Sequence, residues 1–171
     1  MKIQIKQWSG KSRELLIRKT INHVASLIFS DATLRTIKTI NVKVINTPRV
    51  TMNNKQVSVH GNAGPNKDGA FDICIKSTLD DINFISTLAH ELMHVAQFAD
   101  QRLLMGYEDA FWKSNDKYHR YCVRGESHQE YLDWPWEKEA RDFANVYLKH
   151  FVLNENSHKT SLAASKSRKT S

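Results

Sequence analysis

The sequence predicts an α+β domain: a small, mostly antiparallel sheet packed on one central helix, with a helix before it in the chain and another after it. Three observations carry that prediction. Short runs alternating polar and apolar residues occur at 2–7, 40–45, 56–61 and 70–77, the period of half-buried strands. Longer runs with apolar residues three and four apart occur at about 12–29, 82–104 and 135–152, the period of amphipathic helices. A chain of 171 residues, 40% hydrophobic and 25% charged, is long enough to bury one core.

Taken in order, "KIQIKQ" opens as a strand, and Ser12 is placed to cap a helix running to about Phe29 through Leu15, Leu16, Ile17, Ile21, Val24, Ala25 and Ile28. "INVKVI" is a strand stopped near Pro48. "QVSVHG" enters the turn-rich "GNAGPNKDG", and "AFDICIKS" follows as the second arm of a hairpin, with Phe71, Ile73 and Ile75 on one face. Asp80 or Asp81 caps the long central helix, and Gly106 is its expected stop. Residues 107–133 read as a mixed loop-and-helix insert. Pro135 suits the first turn of the last helix. Residues 1–153 are thus expected to form one domain, and 154–171 a basic, disordered tail. Trp8, Trp112, Trp134 and Trp136 are expected to pack in the core or between helices.

The formal charge is +7, in part from Lys159, Lys166, Arg168 and Lys169, which meet no acid after Glu155. A basic balance can favour nucleic acid, but no nucleic-acid motif accompanies it, so solubility is the simpler reading. Cys74 and Cys122 are too few for a disulfide framework. No apolar run of membrane-spanning length exists, and "MKIQIKQWSG" lacks the apolar stretch of a secretory signal, so a cytoplasmic protein is expected.

The chemistry concentrates in "LAHELMHVAQF", residues 88–98. Residues four apart share a helix face, so His90 and His94 can point two imidazoles at one spot. Glu91 is rotated by about 100°, too far to be a third ligand but able to reach a water at an open coordination position. The surrounding Leu88, Ala89, Leu92, Met93, Val95, Ala96 and Phe98 imply burial, and buried imidazoles and carboxylates need partners. A bound Zn²⁺ would supply them.

The H-E-x-x-H spacing resembles that of the zincin-type zinc metallopeptidases. The metzincin variant requires a glycine and a final histidine where this chain has Gln97 and Asp100. Asp100 is about 240° around the helix from His94, which turns it away from the ion. "WPWEKEARDFA" is similar to the gluzincin pattern, in which a downstream helix supplies a glutamate within E-x-x-A; Glu137 followed by Ala140 fits. The resemblance therefore implies His90, His94 and Glu137 as metal ligands and Glu91 as the catalytic base. Glu139 competes with Glu137, and so do His119 and His128, since the SprT-like group uses a third histidine. Thermolysin-like enzymes often carry an aspartate after the small residue, bracing the first histidine; here Arg141 stands there, and Asp142 is the nearest substitute.

The resemblance also implies a zincin-like fold in which a sheet-edge strand binds extended peptide, and "AFDICIKS" is the natural candidate unless it is an inner strand. Tyr107, Tyr118, Tyr121, Tyr131, His119 and His128 can each supply an oxyanion stabiliser. The leading function is a monomeric zinc peptidase acting on protein or peptide substrates. A SprT-like, nucleic-acid-associated protease and a non-catalytic zinc-binding module are the alternatives. A structural zinc would need four protein ligands, often cysteines, and neither cysteine has suitable partner spacing.

Overall fold

The computed structural model describes the backbone of residues 1–6, 10–52, 55–106, 108–123 and 128–167, and the side chains of these except at 51, 52, 55, 68, 128 and 152–167. The order of elements is β1 (Lys2–Lys6), α1 (Lys11–Ile28), α2 (Asp31–Thr36), β2 (Thr39–Ile45), β3 (Arg49–Met52), β4 (Lys55–Ser58), β5 (Gly61–Pro65), a 3-10 turn (Lys67–Gly69), β6 (Ala70–Lys76), α3 (Asp81–Ala99), β7 (Leu103–Met105), β8 (Asp109–Ser114), β9 (Lys117–Cys122), α4 (His128–Asp133) and α5 (Pro135–Ser167). The class is α+β, as expected. No helix among the described residues is long and apolar enough to cross a membrane.

The central sheet is mixed rather than mostly antiparallel, in the order β1-β2-β6-β5. β1 runs parallel to β2 and β2 parallel to β6; only β5 is antiparallel to its neighbour. The β1–β2 pair is parallel because α1 and α2 carry the chain back across the sheet between them; between β2 and β6 the return is made by β3, β4 and β5. Alternation in β6 is as expected: Phe71, Ile73 and Ile75 are buried on one face. That face meets α3 through Phe84, Leu88, Leu92 and Val95, while Ile17, Ile21 and Val24 of α1 complete the same core. α5 packs on α3 through Ala140, Ala144 and Tyr147, the small residues letting the two axes come close.

Several sequence expectations are corrected. α1 starts at Lys11 behind Gly10 and has no side-chain cap, so Ser12 lies inside its first turn. The hairpin partner of β6 is β5, from the segment that reads as a loop, while "QVSV" pairs with β3 instead. β6 is consequently an inner strand, and β5 is the edge. Asp80 does cap α3, accepting from the Asn83 N–H at 2.8 Å. The helix nevertheless ends at Ala99, well before Gly106. Gln101 takes φ 56°, its N–H bonds the Phe98 carbonyl at 3.0 Å, and the Arg102 N–H bonds the Gln97 carbonyl at 2.8 Å. This left-handed exit normally favours glycine. Much of the predicted insert is the hairpin β8–β9, joined at Asn115 and Asp116 with φ 50° and 60°, angles that Asn and Asp tolerate.

Candidate metal centre

α3 presents His90 and His94 on the face that meets α5, and the first turn of α5 brings Glu137 to them. The two imidazole Nε2 atoms lie 3.0 Å apart. Glu137 Oε1 is 3.3 Å from His94 Nε2, and Glu137 Oε2 is 3.4 Å from His90 Nε2. Ligands bonded tetrahedrally at about 2.0–2.1 Å stand roughly 3.3–3.4 Å from one another, so this triangle is about the size such an ion requires. Among the described residues, His90, His94 and Glu137 form a group that could hold a metal ion.

The charges of the metal-free site are set by that convergence. Burial alone would lower the His94 imidazole, but the Glu137 carboxylate beside it outweighs burial and raises it from 6.5 to about 9. Burial would raise Glu137, only 5% exposed, yet hydrogen bonds from both imidazoles and from the Tyr131 hydroxyl hold it well below the usual carboxylate range. Burial pushes Glu91 up, against the opposing pull of His94 and His90. Three ionisable side chains on or against one apolar helix would cost several kcal/mol if unpaired. Pairing satisfies His94 and Glu137, but Glu91, 4% exposed, keeps a buried Oε2 with no hydrogen-bond partner among the described residues. An unpaired carboxylate oxygen beside two imidazoles fits a site with room for one more polar group.

Glu91 also meets the sheet edge. A Cβ placed on Gly61 of β5 would lie 2.7 Å from Glu91 Oε1 and 2.7 Å from Thr87 Cγ2. Glycine at 61 is therefore what allows the strand to run this close to the carboxylate. A cleft of about 330 Å³ opens from Glu91, His94, Glu137 and Tyr131. Its walls are mostly apolar, among them Val57, Phe98, Met105, Trp134 and Trp136. Trp136 anchors this side: it is buried with Leu103 and Ala110 and takes the edge of Tyr121 at 5.1 Å. A larger cleft of about 450 Å³ near Arg13, Lys19 and Phe151 shares no residue with the metal group.

The other candidates have other partners. Glu139 is held by Arg102, whose Nη1 donates to both carboxylate oxygens at 2.8 Å. Asp100 accepts from Thr33 Oγ1 and faces away from the histidines. Asp142 pairs with Lys138 at 3.2 Å on the surface, so it does not brace a histidine. His119 is exposed on β9. The Tyr118 hydroxyl donates to the Gln101 carbonyl at 2.6 Å. Of the proposed oxyanion donors among the described residues, Tyr131 is the one that lines the cleft; burial and the Glu137 charge raise its pKa, so it keeps its proton. Tyr107, Trp8 and the side chain of His128 lie outside the described residues.

Sequence reasoning missed Gln97. It is completely buried, and its Oε1 lies 2.8 Å from His94 Nδ1. Its place three residues after His94, on the same face, was the available signal. Comparisons with protein-family models, with curated proteins and with solved structures gave no significant match, so the site rests on its own geometry.

Proposed function

We propose that this chain is a zinc-dependent peptidase, gluzincin-like within the zincin class, with Glu91 as general base. The observation that carries the reading is the convergence of His90, His94 and Glu137 beside Glu91, a buried carboxylate that lines the same cleft and has one oxygen without a partner among the described residues. Two imidazoles and one carboxylate suit zinc, whereas calcium and magnesium prefer all-oxygen shells. Three protein ligands beside a cleft favour a catalytic site over a four-ligand structural one.

A zinc ion held there supplies a Lewis acid that polarises the scissile carbonyl and lowers the pKa of water. Glu91 takes the proton of the attacking water and delivers it to the departing amine. Its burial raises its proton affinity towards the range a general base needs. Tyr131 keeps its hydroxyl protonated, and that proton, held by Glu137 in the absence of the ion, would turn to the developing oxyanion once Glu137 ligates the metal. The outer edge of β5 pairs with the extended substrate through backbone hydrogen bonds, and the apolar walls receive an apolar side chain of the peptide.

Glu91→Gln tests the reading. The variant is expected to bind one zinc per chain, as the wild type does, and to cleave a peptide library about 10²–10⁴-fold more slowly. Hydrolysis at the wild-type rate would remove Glu91 from the mechanism. Failure of wild-type protein to bind zinc would remove the mechanism itself.

A further inference from the structure

Gln97 sits behind His94 with every polar atom of its side chain committed. Its Nε2 donates to the Trp136 carbonyl at 3.0 Å and to Glu139 Oε2 at 2.7 Å. Both partners are pure acceptors, so the orientation of the carboxamide is fixed chemically. Flipping it would set its oxygen against two other oxygens in a fully buried space. Glu139 in turn cannot swing away, because Arg102 grips both of its oxygens. The main chain is tied as well, since the Arg102 N–H bonds the Gln97 carbonyl at 2.8 Å.

We infer that Gln97 is a positioning residue for the metal: its Oε1 holds His94 with hydrogen on Nδ1 and the Nε2 lone pair aimed at the ion. The inference rests on the metal-site reading above. Because Oε1 can only accept, Nδ1 must donate across the 2.8 Å contact. Nε2 is then the nitrogen left to ligate: it lies 3.0 Å from His90 Nε2 and 3.3 Å from Glu137 Oε1, and the proton it shares with Glu137 is the one a bound ion would displace. A metal-bound imidazole commonly donates its other N–H to an acceptor that fixes the ring, often a carboxylate. Here a neutral amide does so, and the carboxylate stands one bond farther out as Glu139. That arrangement suits a site already holding Glu91 and Glu137, because it adds no third negative charge next to the imidazoles. It also assigns Glu139 and Arg102 a purpose as the clamp that sets the amide.

The test is zinc titration against a competing chelator for wild type, Gln97→Leu and Ile85→Ala, with nitrogen-15 imidazole spectra of the zinc-loaded proteins. Ile85 is a buried core residue earlier on α3 and serves as the control for lost packing alone. Gln97→Leu is expected to bind zinc about 10–100-fold more weakly and to lose the slowly exchanging Nδ1–H signal of His94. Ile85→Ala is expected to lower thermal stability while its folded fraction keeps wild-type affinity and that signal. Equal zinc affinity in wild type and Gln97→Leu would overturn the inference, as would an equal loss in Ile85→Ala. If Gln97→Leu does not fold, the wild type decides: a zinc-loaded His94 protonated on Nε2 rather than Nδ1 overturns it. Wild-type protein that binds no zinc would instead overturn the metal site.

Discussion

Glu137 and Glu139 lie two residues apart in the first turns of α5, yet their surroundings differ completely. Glu137 is buried, meets two imidazoles and a tyrosine hydroxyl, and is held ionised by them. Glu139 has a side chain 37% exposed and is occupied by Arg102 and Gln97. Two residues on a helix is about 200° of rotation, so one carboxylate faces α3 where the histidines are and the other faces the exit of that helix. Composition cannot separate them; the face each occupies does. The lesson is that an acidic pair two residues apart can divide into one member that joins the histidines and one that is clamped by an arginine and an amide.

The largest expected effect comes from the ligand side. Glu137→Ala should weaken zinc binding by more than about 100-fold, beyond what outer residues of a metal site usually contribute, and activity should vanish with the metal. Chelator competition measures it; a smaller loss than in Glu139→Ala would reverse the two roles. Next is Glu91, the third glutamate of the site, which can be disturbed without being changed. Gly61→Ala forces a Cβ against its Oε1 and should reduce kcat by about tenfold with zinc affinity intact, since small misplacements of a reacting group are costly. An unchanged kcat would show that the carboxylate has slack. Glu139→Ala should lower zinc affinity by no more than about tenfold, because the Trp136 carbonyl still holds the Gln97 amide.

The smallest effect is on the pH dependence of the metal-free protein. His94 is raised from 6.5 to about 9, so its contribution is complete below about pH 6.5 and is lost as pH rises through about 9. Glu137 is depressed from 4.5, so its contribution is present above about pH 4.5 and is lost as pH falls through its lowered folded value. Together they place the pair's greatest stabilisation between about pH 4.5 and 6.5, with Tm declining from there towards pH 9. Glu137→Gln should flatten that alkaline decline and Glu139→Gln should leave it in place. Matching profiles in the two variants would contradict the assignment of charges.

Much of the site was legible because helical periodicity is local. His90, His94 and Glu91 needed only the four-residue spacing, and burial followed from their apolar neighbours. Phe71, Ile73 and Ile75 fixed the core face of β6 by alternation alone. Glu137 was reached through a resemblance in E-x-x-A, and spacing by itself left Glu139 open. What could not be read depends on distant partners. Gly61, Asn62, Gly64 and Pro65 carry no strand-forming side chains, so β5 is held by its pairing with β6, and the glycine at 61 lets it pass close to Glu91. Gln101 adopts a glycine-like angle with no glycine, which hid the end of α3. A lone glutamine has no metal-ligand signature, so in the sequence Gln97 stands out only as the residue in the metzincin glycine slot.

β5 has one further consequence. A strand with a free outer edge invites pairing with another copy of the chain, and that is how many sheet proteins come to aggregate. This edge is five residues long and ends at Pro65, which has no N–H to contribute. Among the described residues none lies within 4 Å of a would-be Cβ on Gly64, and the glycine itself has no side chain to reinforce a pairing there. On the proposed reading the rail holds a few residues of an extended peptide, and at five residues closed by a proline it is a poor template for a cross-β stack.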